Sequence, residues 1–305
     1  MVAALKLAIT GGTGFVGARL LDAALAEGHN VRALTRRPQE ARDGVTWIDG
    51  ALDRPASLEA LVDGADAVIH VAGLVNAPDA AGFEAGNVTG TGSMLAAAEK
   101  ARVSRFVHVS SLAAREPQLS LYGASKACSE ALLVASPLAA AIVRPPAIYG
   151  PGDRELLAVF QMAARGFVLL PPPGRLSLLH VDDLGRLLLA LAAPGAPNGL
   201  TVEPDDGHPG GWTHREFADL LGAAVGRTVR AVSMPRPVMA VAARADRLLR
   251  GANAKLTPDR AAYLCHPDWV ADPVKAVPPD LWRPEIPTPR GLTGTAAWYR
   301  SNNML

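Results

Sequence analysis

Tyr122 and Lys126 stand four residues apart, a spacing that places a phenol and an ammonium on one face of a helix. A neighbouring cation favours phenolate and lowers a phenol pKa that is ordinarily about 10. Such a tyrosine can give or take the proton that accompanies hydride transfer at a carbonyl or carbinol carbon. A serine hydroxyl would hold the substrate oxygen, and Ser110-Ser111 precede the tyrosine by a short loop. Alone, Tyr-x-x-x-Lys is also what an exposed helix pair looks like. A second pattern gives it weight. Thr10-Gly11-Gly12-Thr13-Gly14-Phe15-Val16-Gly17 follows the apolar run Leu5 to Ile9 and precedes Ala18 to Ala26, which reads as strand, glycine turn and helix start. Gly12, Gly14 and Gly17 satisfy G-x-G-x-x-G, while Gly11, Gly14 and Gly17 satisfy the looser G-x-x-G-x-x-G. Either set lets backbone approach a pyrophosphate, with the helix N-terminus aimed at it. After the second strand the chain reads Thr35-Arg36-Arg37, where an acidic residue would hold the ribose hydroxyls of NAD. Two guanidinium groups suit the 2′-phosphate of NADP, so NADP is expected ahead of NAD.

These groups need a scaffold, and the spacing of apolar runs supplies one. Strands are expected at Leu5 to Ile9, Val31 to Thr35, Val45 to Ile48, Ala67 to Ala72, Phe106 to Ser110 and Ala140 to Arg144. Helical stretches separate them, including Phe83 to Ala101 and Tyr122 to Ala135. Strands alternating with helices imply an α/β fold, a doubly wound parallel sheet with ligands beyond the carboxyl ends of its strands. Past Gly150 prolines become dense and the texture irregular, which marks a smaller mixed C-terminal substrate lobe. The expected division is 1–165 for the dinucleotide domain and 166–305 for the lobe, with 176–195 packing back on the former. Thr213 with Glu216 forms a capping box, and Thr257-Pro258 an N-cap with proline at N1.

Composition narrows the partners. A net charge of +1 without clustered Lys and Arg argues against nucleic acid. Apolar runs are too short or too interrupted to span a bilayer, so no membrane partner and a cytoplasmic location are expected. Cys128 and Cys265 lie without metal-ligand spacing and are expected to be inert buried thiols, with no metal site. Asp182 and Asp183 read as helix N-terminal charges and His180 as a locally hydrogen-bonded side chain. Trp269, Trp282 and Trp298 are expected to pack the C-terminal lobe. Self-association as a homodimer is left open.

Taken together the motifs resemble the extended short-chain dehydrogenase/reductase superfamily, the NAD(P)-dependent epimerase/dehydratase-like group with its Rossmann domain. His70-Val71-Ala72-Gly73, Asn87-Val88-Thr89-Gly90-Thr91, Arg144-Pro145-Pro146-Ala147-Ile148-Tyr149-Gly150-Pro151-Gly152 and His180-Val181-Asp182-Asp183-Leu184 extend the likeness over nearly the whole chain. It implies an NAD(P)-dependent oxidoreductase with Ser111, Tyr122 and Lys126 as catalytic residues, Ser111 being chosen over Ser110 by register, and Asn87 supporting them. It also implies cofactor contacts from Gly11, Gly12, Thr13, Gly14, Phe15, Val16 and Gly17, from Arg36, Arg37 and Leu52, and from Ala72 and Gly73. Tyr122, Lys126, Pro145, Ala147 and Ile148 complete the cofactor set. The chain departs from the pattern at Gly50-Ala51-Leu52, where the group usually has Gly-Asp-Leu; Asp49 or Asp53 would substitute. The short Ser111 to Tyr122 loop, and Leu176 at a position where the sugar branch places arginine, count against a UDP-sugar. The apolar segment Phe167 to Pro173 suits a small-molecule substrate, a hydrophobic carbonyl compound. A nucleotide-sugar epimerase or dehydratase, and a non-catalytic NAD(P)-binding sensor or assembly protein, are the alternatives.

Overall fold

The structure, a computed structural model, describes residues 4–251, 254 and 256–305. Seven parallel strands form the main sheet: β1 (Lys6–Thr10), β2 (Asn30–Thr35), β3 (Val45–Asp49), β4 (Ala67–His70), β5 (Arg105–Val109), β6 (Ala140–Val143) and β11 (Leu200–Val202). Their spatial order is β11-β6-β5-β4-β1-β2-β3. The order reverses between β1 and β4, and such a switch opens a crevice at the strands' carboxyl ends. Strands β4 and β5 are buried along their whole length, as expected of parallel strands covered on both faces. The connecting helices are α1 (Phe15–Ala26), α2 (Pro55–Val62), α3 (Ala80–Phe83), α4 (Gly90–Lys100) and α5 (Leu121–Ala135). Leu58, Leu61, Val68, Met94 and Phe106 fill one side of the sheet. This is a Rossmann-like fold.

One expected helix is interrupted. The stretch Phe83 to Ala101 is divided by a widened π-helical turn, Glu84–Thr89, that separates α3 from α4. The wide turn contains Asn87, whose buried side chain bonds to the backbone of Leu74 instead of facing solvent. Such turns are often found at functional positions.

The chain divides into two compact units. The first takes residues up to Pro145 together with Leu184–Glu203 and Lys275–Arg283; the second takes Pro146–Asp183, Pro204–Val274 and Pro284–Leu305. Long-range bonds explain why late segments return to the first unit. The Arg105 guanidinium, in β5, donates to the carbonyls of Leu191, Ala196 and Pro197, and β11 pairs with β6. Trp282 therefore belongs to the first unit, whereas Trp269 and Trp298 pack in the second.

The second unit contains β7 (Ala147–Tyr149) beside β10 (Leu178–His180), β8 (Phe167–Leu170) beside β13 (Arg230–Ser233), and β9 (Arg175–Leu176) between β12 (Trp212–Thr213) and β14 (Asp268–Trp269). Its helices are α6 (Leu157–Ala164), α8 (His214–Val225), α9 (Arg236–Arg250), α10 (Pro258–Leu264) and α11 (Thr288–Ser301), while α7 (Val181–Ala192) begins at its margin. Tyr149, Phe160, Leu221, Leu292 and Tyr299 form its core, with the Phe160 and Tyr299 rings edge to face at 5.1 Å. Both expected caps form: Thr213 with Glu216 on α8, and Thr257 on α10. The cysteines differ from expectation. Cys128 is exposed and Cys265 half-buried, both as free thiols, because Cys128 falls on the outer face of α5.

Candidate active site

The glycine turn shows which spacing the backbone uses. Gly11 has φ +74°, and a Cβ there would lie 2.8 Å from the Ala72 nitrogen. At Gly17 a Cβ would come within 2.0 Å of the Gly11 carbonyl oxygen. Gly12 meets its neighbours at ordinary van der Waals distance and a Cβ on Gly14 would lie 3.3 Å from the Gly11 carbonyl oxygen, so Gly11 and Gly17 are the positions where the geometry requires glycine. Thr13 and Gly14 are exposed, and no side chain caps α1. The amides of Phe15, Val16 and Gly17 thus remain available at a positive helix end, the cradle that a pyrophosphate fits.

Beyond this turn, Thr10 at the end of β1 donates or accepts with His70 Nδ1 at 2.7 Å and accepts from the Ala72 amide at 3.2 Å. It thereby ties the turn to the loop Ala72-Gly73. Arg36 and Arg37 follow β2 directly and are both exposed; β2 itself carries no acidic residue and none follows it directly in the chain. Asp49 pairs in register with Thr35 and is exposed, as is Asp53, while Leu52 packs against the core beside Gly90.

The chemical groups gather around α5 and the end of β5. Ser120 caps α5 by accepting from the Gly123 amide, which sets the face that Tyr122 and Lys126 share. Ser111 is buried, caps the short 3-10 turn Leu112–Arg115 by accepting from the Ala113 amide, and its hydroxyl favours the ionised form of the Tyr122 phenol. Lys126 Nζ is buried and donates to the Val109 carbonyl at 2.7 Å. Asn87 completes the group: it accepts from the Leu74 amide at 2.6 Å and donates to the Leu74 carbonyl and to Ser125 Oγ, each at 2.9 Å. Its role is a clamp between the loop after β4 and helix α5, not a cap or a surface side chain. Ser110, one residue earlier, turns away to donate to Glu130.

Electrostatics correct one expectation. Burial pushes the Tyr122 phenol above its usual pKa, with the Ser111 hydroxyl opposing this. The acidified phenol expected from the lysine spacing is not what the fold produces. Burial also lowers the Lys126 ammonium to about 8, opposed by the Glu130 carboxylate one turn further along α5. Both groups lose water, and desolvation penalises each charged form. Behind them lie two histidines at matched positions of β4 and β5, with rings stacked at 5.5 Å. Burial, then the Lys126 charge, holds His70 down at about 3 and His108 well below its usual value, so both are neutral near pH 7.

A buried ion network anchors the far end of this helix face. Glu130 is paired with Arg144, the residue just after β6, whose guanidinium also reaches Glu203 at 3.3 Å; Arg115 and Lys275 meet Glu203 at 3.1 and 3.7 Å. Glu130, His108 and Glu203 escaped notice in the sequence. Glu130 carried a local signal, since it repeats the Tyr122 to Lys126 spacing once more; Glu203 carried none.

The remaining sequence candidates divide between the units. Pro145 closes the first unit, its carbonyl accepting from the Leu112 amide at 3.1 Å. Ala147 and Ile148 lie on β7 of the second. There His180 accepts from the Asp182 amide at 3.2 Å and packs edge-on against Tyr149, and Asp183 accepts from the amides of Glu285 and Ile286. In the apolar segment, Val168 and Leu170 are buried while Phe167 and Leu169 face outward. Among the described residues no cluster of His, Cys, Asp and Glu is arranged to hold a metal, and no helix is long and apolar enough to cross a membrane.

Comparison with known proteins fits this arrangement. Residues 7–200 match the NAD dependent epimerase/dehydratase family. The chain belongs to that family. It is 38% identical to the ceramide reductase of Caulobacter vibrioides, with 98% of this chain and 96% of the relative aligned. It is 30% identical to the 2-alkyl-3-oxoalkanoate reductase of Stenotrophomonas maltophilia, over 87% of this chain and 91% of the relative. Among solved structures, the Bordetella bronchiseptica enzyme WbmG in complex with NAD and UDP superposes with a TM-score of 0.75 at 21% identity, covering 99% of this chain and 97% of the other. That likeness shows the shared fold. As a member of the epimerase/dehydratase family with reductases and dehydrogenases for relatives, the protein is an NAD(P)-binding oxidoreductase.

Proposed function

We propose that this protein reduces the carbonyl group of a hydrophobic, lipid-like compound with preference for NADP, in the cytoplasm. The reading is carried by Tyr122 standing one turn from the buried Lys126 on α5, whose ammonium is held at the end of β5 by the Val109 carbonyl, with the buried Ser111 at that same strand end. A dinucleotide in the Gly11 to Gly17 cradle supplies the hydride. Tyr122 is the proton donor to the carbonyl oxygen, and its raised pKa suits that direction: a phenol that stays protonated near neutral pH is a general acid. Ser111 orients the same oxygen. Lys126, held by the Val109 carbonyl, places positive charge where phenolate forms as the proton leaves. Asn87 keeps the Gly73-Leu74 loop in register with these groups. Arg36 and Arg37 account for the NADP preference by offering donors to a 2′-phosphate in place of an acid.

A lipid-like substrate is favoured by the ceramide and 2-alkyl-3-oxoalkanoate reductases among the relatives. Only the short segment 112–121 separates Ser111 from Tyr122, and its turn Leu112–Arg115 is largely buried, which speaks against a sugar pocket built from that loop. The test is loss of NADPH absorbance with long-chain 2-alkyl-3-oxo acids and long-chain 3-oxo amides, against UDP-sugars. Stoichiometric NADPH consumption with the lipid carbonyls supports the reading. Conversion of a UDP-sugar without net NADPH consumption transfers the protein to the epimerase reading, and nucleotide binding without any turnover to the sensor reading.

A further inference from the structure

Helix α9 (Arg236–Arg250) in the second unit carries two apolar faces, one of them buried and the other exposed among the described residues. Met239 and Ala243 are buried. Val238, Val241, Leu248 and Leu249 are 50, 63, 87 and 85% exposed, and Ala245 lies exposed between them. Their spacing of three and four residues gathers these five side chains into a stripe spanning about 100° of the helix surface. Scattered single apolar residues on a surface need no explanation, but a continuous stripe of this kind does.

Charge identifies what the stripe fits. The helix holds four arginines, at 236, 244, 247 and 250, against one acid, Asp246, which pairs with Arg250 at 3.1 Å. Arg244 and Arg247 are exposed; by helical position Arg244 borders one edge of the stripe and Arg247 lies further round the same flank, about 100° from that edge. Four arginines against one aspartate leave the helix with a local excess of positive charge in a chain whose net charge is +1. A second copy of the same helix would oppose arginine with arginine. An apolar stripe with an arginine border instead matches the acyl boundary and phosphate headgroups of an anionic bilayer, the guanidinium groups reaching upward along their stems. The helix is about 22 Å long and too short to span, which leaves the flat, interfacial orientation.

We propose that α9 docks the protein on the surface of anionic membranes, with Val238, Val241, Leu248 and Leu249 inserted at the acyl boundary and Arg244 and Arg247 on lipid phosphates. This revises the expectation of no membrane partner to one that is met at the surface without being crossed. The proposal stands apart from the reductase reading, since it uses no residue of the catalytic group.

The experiment is co-sedimentation of the full chain with vesicles of phosphatidylcholine and of phosphatidylcholine containing one-third phosphatidylglycerol. Wild type is expected to sediment with the anionic vesicles, less so as salt is raised. Leu248→Glu with Leu249→Glu should weaken that binding at least about tenfold through lost apolar insertion. Both side chains are almost fully exposed, so thermal unfolding should not move. Arg244→Gln with Arg247→Gln should remove the anionic preference and its salt dependence. Failure of wild type to sediment, or equal sedimentation of the leucine double variant, overturns the proposal. So does a dimer that dissociates in that variant while wild type ignores vesicles, which would assign the stripe to a second copy.

Discussion

Asn87→Ala is the substitution whose consequences follow most directly from the geometry. The side chain makes three hydrogen bonds: from the Leu74 amide, to the Leu74 carbonyl and to Ser125 Oγ. At a net value of about 1 kcal/mol each, their sum would be roughly 3 kcal/mol. Leu74 is 39% exposed, however, and water can replace both backbone partners once the amide side chain is gone. Ser125 keeps its bond to the Tyr122 carbonyl. The expected destabilisation is therefore about 1–2 kcal/mol, a fall in Tm of only a few degrees for a chain of this size. The catalytic effect should be larger in proportion. Asn87 bridges the loop after β4 to the helix that carries Tyr122 and Lys126, and misplacement of reacting groups by about 1 Å can cost up to 100-fold. A kcat lower by about ten- to a hundredfold is expected, with the fold intact by circular dichroism. Asn87→Asp should be worse than alanine, because a carboxylate cannot donate to Leu74 or Ser125 and would be charged in a buried place. Steady-state kinetics beside thermal unfolding decide the matter. If Asn87→Ala lowers Tm but leaves kcat at the wild-type value, the clamp is purely structural and the argument is wrong.

Three further outcomes follow. Tyr122→Phe should lower turnover by about 10²–10⁴-fold while NADPH binding, followed by nucleotide fluorescence, stays nearly unchanged; retained turnover removes the proton-donor role. Replacing Arg36 and Arg37 together by glutamine should weaken NADPH far more than NADH, and equal losses for the two nucleotides would sink the phosphate assignment. Lys126 loses its proton as pH rises through about 8, so kcat/KM for reduction should fall on that limb instead of persisting toward the ordinary lysine value. In Lys126→Arg, where the cation does not titrate, whatever activity remains should lack that limb. A limb that stays in place in the arginine variant assigns the titration to another group.

Much of this molecule was readable from local pattern. Apolar runs such as Leu5 to Ile9 and Phe106 to Ser110 lie within a residue of the observed β1 and β5. The glycine turn was recognisable from its own neighbours, though not which of its glycines are required, and Ser120 caps a helix whose spacing already paired Tyr122 with Lys126. Where local pattern misled, a distant contact was involved. The π-helical turn holds Asn87 in hydrogen-bonding reach of Leu74 thirteen residues away, a pairing that periodicity does not register.

Three matters belonged to the tertiary structure alone. The choice of Gly11 over Gly12 depends on the approach of Ala72 from β4. The return of Glu203 to anchor Arg144 and Arg115 depends on β11 joining β6, with no trace in the residues around it. The direction of the Tyr122 shift depends on how much water the surrounding elements exclude. Residue types and spacing say which groups meet, because helix and strand periods are local geometry. Whether a charge survives that meeting is set by desolvation summed over every neighbour, a quantity that exists only once the chain has folded.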